Sequence, residues 1–326
     1  MALTSLLLLL LGLVILLRGA NDLVEGASGL ALRWGVAPLL VGLTVVAFGT
    51  SAPELVTGII GAIRALGGET GAASVVVGTM LGSNTCNVGL ILGMTALVAP
   101  VGVASMLRRR DVPLLLVVTS MLAAFAWTTG LGRLAGVVLF ATFTAFTLLI
   151  LRSELRGRHA EHGEDAAIDK AAKEVVHHSA MRSAFEVAAG LALLVLGAWM
   201  LVEGAVRLAR QAGISEAVIG LTIVAIGTSL PELATSMAAA RKGQAEIALG
   251  NVVGSNAFNL GAGIGLPALI TPLHVESSLL HRDVLVMLAF TVALAVATRQ
   301  SVIGRRTGIG LLLAYGAYLA WCAASA

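Results

Sequence analysis

"VGLTVVAFGTSAPEL" (Val41–Leu55) recurs 178 residues later as "IGLTIVAIGTSLPEL" (Ile219–Leu233), with eleven of fifteen positions identical. Both copies lie inside apolar runs. Both set a proline beside a glutamate, Pro53–Glu54 and Pro231–Glu232. Working outward, the same offset joins "EGA" at Glu25 to "EGA" at Glu203. Downstream the offset becomes 172, where "GTMLGSNTCNVGLILG" from Gly78 matches "GNVVGSNAFNLGAGIG" from Gly250. The longer "ALGGETGA" after the first copy accounts for the change. The offset of 172 then holds for Pro100 and Pro272, Arg110 and Arg282, and Gly132 and Gly304. The chain is a duplicated unit.

The setting of these motifs is a membrane. The 326 residues are 58% hydrophobic and 12% charged, whereas soluble domains carry about a quarter charged residues. Apolar runs of roughly 20 residues, each enough to cross a bilayer, recur from end to end. The short alternating segments of a β-barrel are absent from the sequence. The pattern predicts an all-α membrane protein of ten transmembrane helices, at about 3–32, 37–64, 71–97, 112–128 and 133–152, then 183–210, 215–240, 245–270, 283–298 and 305–323. Five crossings per unit leave the second copy inverted. The expected organisation is a first repeat over 1–151, a charged linker over 152–182 and an inverted second repeat over 183–326. Inverted repeats with a site near the midplane are a transporter architecture.

Lys and Arg set the orientation. Sixteen of the 21 lie on one side of this topology and five on the other; leaving out Arg18, which lies within the first helix, gives fifteen to five. The richer side is expected to be cytoplasmic, with both termini outside and the linker inside a cytoplasmic (inner) membrane. The formal charge of +3 comes from these breaks and does not point to nucleic acid. Cys86 and Cys322 have no metal-ligand spacing. The N-terminal "MALTSLLLLLLGLVILL" lacks a basic leader and is read as a retained first helix. "LRSELRGRHAEHGEDAAIDKAAKEVVHHSAMR" (Leu151–Arg182) holds four of the six histidines, His159, His162, His177 and His178, and is read as a solvated linker, with a regulatory ion- or pH-sensing role for these histidines as the alternative.

A carboxylate at mid-membrane is expensive and marks ion or proton pathways. Each proline removes a backbone donor, so Pro53 frees carbonyls near Gly49 and Pro231 frees those near Gly227. Thr50, Ser51, Thr228 and Ser229 add hydroxyls. Two carboxylates, four hydroxyls and freed carbonyls form a hard-oxygen set suited to Ca2+ or Na+; without sulfur or imidazole among these groups it does not suit Zn2+ or Cu2+. One divalent ion neutralises the pair of glutamates, and so do two monovalent ions. The second motif adds Ser83, Asn84 and Asn87 with their mates Ser255, Asn256 and Asn259, read either as packing glue or as ligands.

"GLTVVAFGTSAPEL" and "GLTIVAIGTSLPEL", each followed by "GSNxxN", resemble the two α-repeats of the cation/Ca2+ exchanger superfamily, nearest its prokaryotic sodium/calcium antiporters. The resemblance implies ten helices in two inverted halves. It implies Ca2+ coordination by Glu54 and Glu232 beside Thr50 and Thr228. It further implies Na+ contacts from Ser51, Ser229, Ser83 and Ser255 and from carbonyls near Ala47 and Ala225. Asn259 departs from members that carry aspartate there, which weighs against a K+-coupled reading. The expected function is an antiporter, not an enzyme, that exchanges Ca2+ for Na+ without a cofactor. H+/Ca2+ exchange on the same scaffold is the alternative, since a buried glutamate pair can load protons. A cation channel is a third reading, which the proline-broken repeats disfavour.

Overall fold

The computed structural model describes residues 2–161, 180–212, 225–275 and 277–325. Ile219–Val224 of the second motif, His162, His177, His178 and both terminal residues lie outside them. A single long helix, α1 (Ala2–Trp34), opens the chain. The next expected span is broken into α2 (Pro38–Val41), a π-helical turn over Gly42–Val46, α3 (Ala47–Thr50) and α4 (Ala52–Leu66). The axis bends by 47° between Thr50 and Ala52. Pro53 stands in the first turn of α4, where a missing N–H is tolerated, and it cannot serve the carbonyl four residues back.

The third span is continuous: α5 (Ala72–Cys86), a π-helical segment Asn87–Leu92 and α6 (Gly93–Val98). After β1 (Val101–Gly102), a π-helical turn Leu107–Asp111 leads into α7 (Val112–Trp127), and α8 (Arg133–Glu161) completes the first half. The second half comprises α9 (Ala180–Gln211), α10 (Ala225–Thr228), α11 (Leu230–Arg241) and α12 (Ala245–Phe258). It continues through the π-helical segment Asn259–Ile264, α13 (Gly265–Ile270), α14 (Ser277–Ala297), β2 (Val302–Ile303) and α15 (Arg305–Ser325). Helix α8 runs past residue 152 to Glu161, into the stretch read as linker; its Glu, Leu, Arg and Ala residues are good helix formers. Among the described residues, seven helices are long and apolar enough to cross a bilayer, eight if the bent pair Pro38–Thr50 and Ala52–Leu66 is one span.

The duplication reappears in local geometry. The two breaks fall at Ser51 (φ −89°, ψ 4°) and Ser229 (φ −92°, ψ 6°). The two π-helical segments, Asn87–Leu92 and Asn259–Ile264, match at the 172 offset. Contacts between the halves are reciprocal. Val101 pairs with Ile303, and their mates Leu273 and Leu131 pair with each other. Asn84 Nδ2 donates to the Asn256 carbonyl at 3.2 Å, and Asn256 Nδ2 donates to the Asn84 carbonyl at 3.4 Å.

Burial sorts the helices into an inner and an outer layer. The spans 72–98 and 245–270 are 72% and 83% buried, against 28% for α1 and α9. Leu3, Leu6, Leu7, Leu10, Val14 and Leu17 line an exposed face of α1, as lipid contact requires. Helices α1 and α9 pack antiparallel through two glycine stripes of period seven, Gly12, Gly19, Gly26 and Gly190, Gly197, Gly204. A Cβ at Gly19 would lie 2.7 Å from the Leu194 nitrogen and 2.8 Å from the Gly190 oxygen. Only bare backbone allows this approach, the logic by which small residues join membrane helices.

Candidate cation-binding site

The two breaks and the two π-helical segments meet at the centre of the molecule. Glu54 and Glu232 each lie in the first turn of the helix after a break and are each 1% exposed. Thr50, Ser51, Ser83, Ser229, Ser255, Asn87 and Asn259 are all buried beside them. Thr228 is half-buried, and Ala225 begins α10.

Ser51 Oγ donates to Glu232 Oε1 at 2.8 Å, so the break of the first half holds the carboxylate of the second. Ser83 Oγ lies 3.4 Å from Ser229 Oγ. The Ala47 carbonyl faces the same region, with Thr50 Oγ1 at 3.3 Å and Ser255 Oγ at 3.5 Å. The four asparagines form a closed set. Asn87 Nδ2 donates to Asn256 Oδ1 at 2.9 Å, and Asn259 Nδ2 donates to Asn84 Oδ1 at 3.0 Å and to Ser83 Oγ at 3.2 Å.

This network uses up donors and leaves acceptors. Glu54 Oε1 and Oε2, Glu232 Oε2, Asn87 Oδ1 and Asn259 Oδ1 are buried without a hydrogen-bond partner. Buried polar atoms are nearly always paired, and an uncompensated buried carboxylate costs several kcal/mol. Five inward oxygens with no donor to meet them are a ligand set for a cation. The asparagine geometry explains why the amides present oxygen: each Nδ2 is already committed across the interface between the halves.

Sequence reasoning reached most of these residues and missed Asn251. Its mate at the 172 offset is Thr79, so the repeat alignment gave it no partner of its own kind. It is fully buried. Its Oδ1 accepts from Thr50 Oγ1 at 3.2 Å, and its Nδ2 donates to the Glu232 carbonyl at 3.2 Å and to Ser236 Oγ at 2.9 Å. Asn251 thereby ties the two breaks together. The signal was a buried amide one turn before "GSN" on a helix with no polar face.

The model of the sodium/calcium exchanger protein family matches residues 4–152 and again 183–324. The chain is 37% identical over 313 residues to the putative antiporter CaxA of Alkalimonas amylolytica, covering 95% of each chain. It is 32% identical over 344 residues to the sodium/calcium exchanger MaX1 of Methanosarcina acetivorans, covering 96% of this chain and 97% of that one. Its fold superposes on that of the sodium-calcium exchanger NCX_Mj with a TM-score of 0.82 at 29% identity, over 99% of this chain and 100% of the other. A duplicated family match, near-complete coverage of its relatives and a shared fold lead to one conclusion: this chain belongs to the sodium/calcium exchanger family of membrane antiporters.

Proposed function

We propose that the chain exchanges Ca2+ for Na+ by alternating access at the site between Glu54 and Glu232. The observation that carries this reading is the set of five buried, unpartnered oxygens on Glu54, Glu232, Asn87 and Asn259. The two carboxylates supply a charge of −2 when ionised. One Ca2+ cancels it, and so do two Na+, so the two loads exclude each other electrostatically. On this reading Glu54 and Glu232, with Thr50 and Thr228, hold Ca2+. Ser51, Ser229, Ser83, Ser255 and the Ala47 and Ala225 carbonyls serve Na+, and the Asn87 and Asn259 oxygens complete the shell.

The architecture behind the reading is ten spans in two inverted repeats, over 1–151 and 183–326. Its support is the exchange of contacts between the halves. A two-fold relation makes residue i meet j while the mate of j meets the mate of i, as in Val101–Ile303 and Leu131–Leu273. The two matched family segments, 4–152 and 183–324, support the same division. The charge asymmetry supports outward termini and a cytoplasmic 152–182 segment. A relative 37% identical over 318 residues is named inner membrane protein YrbG of Escherichia coli, which supports the same membrane here.

The test is radiolabelled Ca2+ uptake into proteoliposomes loaded with Na+, against K+-loaded vesicles and vesicles with an imposed pH gradient. Uptake that follows the Na+ gradient is the expected result. Uptake driven by the pH gradient alone would replace Na+ with H+ as the counter-ion. Uptake indifferent to every gradient would remove the exchange mechanism.

A further inference from the structure

The two halves are copies of one unit, yet they pair their charges differently. Lys242 Nζ, directly after α11, lies 2.7 Å from Glu25 Oε1 on α1 and donates to the Asn21 carbonyl at 3.3 Å. The offset of 178 carries Glu25 to Glu203 on α9 and Lys242 to Arg64 on α4. The second copy of this ion pair is therefore Glu203–Arg64. Among the described residues it is not made. Glu203 instead accepts from Arg207 of its own helix at 2.7 Å, and Arg64 stands 4.0 Å from Glu69 just beyond the end of α4.

Packing carries the same asymmetry. Helix α1 packs along α11, and Ala234, Ala239 and Ala240 share one apolar cluster with Leu16, Ala20 and Leu23. Helix α9 makes no comparable contact with α4. Val56, the mate of Ala234, is 55% exposed where Ala234 is 6% exposed, and Ile60, the mate of Ala238, is 47% exposed. The joined helices α1 and α9 are thus seated on the other half's broken span at one end only.

We propose that Glu25–Lys242 and Glu203–Arg64 are alternating latches, each made in the state in which the other is broken. The inference rests on the two-fold, ten-span reading above, which puts Lys242 on the cytoplasmic side and Arg64 on the outer side. Inverted copies of one unit can exchange conformations. The exchange seats α9 on α4, covers Val56 and Ile60 and brings Glu203 to Arg64. In the same movement α1 leaves α11, and Glu25 leaves Lys242. The outer contacts given up are weak. Glu203–Arg207 spans one turn of a single helix, and the Arg64 and Glu69 side chains are more than half exposed, where ion pairs contribute little. Because both latches meet solvent, they bias the two states rather than fix them, by roughly two- to fivefold each.

The test uses the full chain lacking Cys86 and Cys322. One variant carries Glu25→Cys with Lys242→Cys, and the other carries Arg64→Cys with Glu203→Cys. A short bis-methanethiosulfonate reagent replaces the span of two paired side chains. Both variants should cross-link. Adding Lys242→Gln to the 64–203 variant should speed its cross-linking about two- to fivefold, and adding Arg64→Gln to the 25–242 variant should do the same there. No cross-link between 64 and 203, where 25 and 242 do cross-link, overturns the inference, because Val56 and Ile60 would then face lipid in every state. A 64–203 rate indifferent to Lys242→Gln also overturns it, since the two pairs would be uncoupled. Should the 64–203 variant fail to fold, the reciprocal measurement decides, and a 25–242 rate indifferent to Arg64→Gln overturns the inference equally. Coupled cross-linking in a protein without Na+-driven Ca2+ uptake would uphold the latches while refuting the exchange reading, so the two failures are separable.

Discussion

Glu54 has no partner for either carboxylate oxygen, whereas Glu232 has Ser51 for one of its two. On the proposed reading, both depend on a bound cation for charge balance. Glu54→Gln and Glu232→Gln should each abolish Ca2+ transport in a protein that still elutes as a folded species. The loss of Ca2+ affinity should be roughly 3–5 kcal/mol by analogy with breaking a buried ion pair, about two to four decades. Near-normal transport by either variant would sink the shared site. Asn251→Ala makes a different prediction. It removes one partner each from Thr50, Ser236 and the Glu232 carbonyl, while Thr50 keeps the Ala47 carbonyl, so thermal unfolding should report a loss of about 1–3 kcal/mol. An unchanged melting temperature would show that the network relaxes around the gap. The glutamates, serines and paired asparagines were legible in the sequence because the duplication printed them twice. Asn251 was not, because Thr79 fills the matching place, and a site residue without a mate looks like any buried amide.

Helices reveal themselves by length and apolarity, and the spans read from the sequence agree with the described helices to within a few residues except at the end of α8 and the start of α14, which begins at Ser277 rather than 283; the start of the span expected at 215–240 lies outside the described residues. The breaks were legible too, since proline announces them. The π-helical segments were not: an extra residue per turn has no composition of its own, and only the inward rotation of Asn87 and Asn259 gives it away. The glycine stripes of α1 and α9 were also overlooked, because a period of seven among leucines reads as filler until the partner helix is seen. They give a paired prediction. Gly19→Ala pushes a methyl against the Gly190 and Leu194 backbone and should destabilise by about 1–3 kcal/mol. Gly310→Ala on α15 meets nothing within 4 Å and should stabilise by up to about 1 kcal/mol through helix propensity. Thermal unfolding in one detergent decides both; equal shifts of the same sign would refute the close-packing account.

At the scale of the molecule, sidedness is the testable property. Glu69 and Gln300 are both exposed, and the proposed ten-span topology predicts that they lie on opposite sides, Glu69 outside and Gln300 in the cytoplasm. In a protein lacking Cys86 and Cys322, an impermeant thiol reagent added to intact cells should label Glu69→Cys and spare Gln300→Cys. The reverse pattern would invert every directional statement above, and labelling of both would break the parity. The exchanged pairing of the halves reaches beyond the finished protein to its synthesis. Val101 has no partner until Ile303 has been made, and Leu131 none until Leu273. At ordinary elongation rates of about 5–20 residues per second, the first half waits roughly 10–40 s in the bilayer for its complement. Throughout that interval Ser51 is without the Glu232 carboxylate to which it donates in the finished protein. The nascent first half therefore presents an unfinished interface for as long as the matching segments of the second half take to be made.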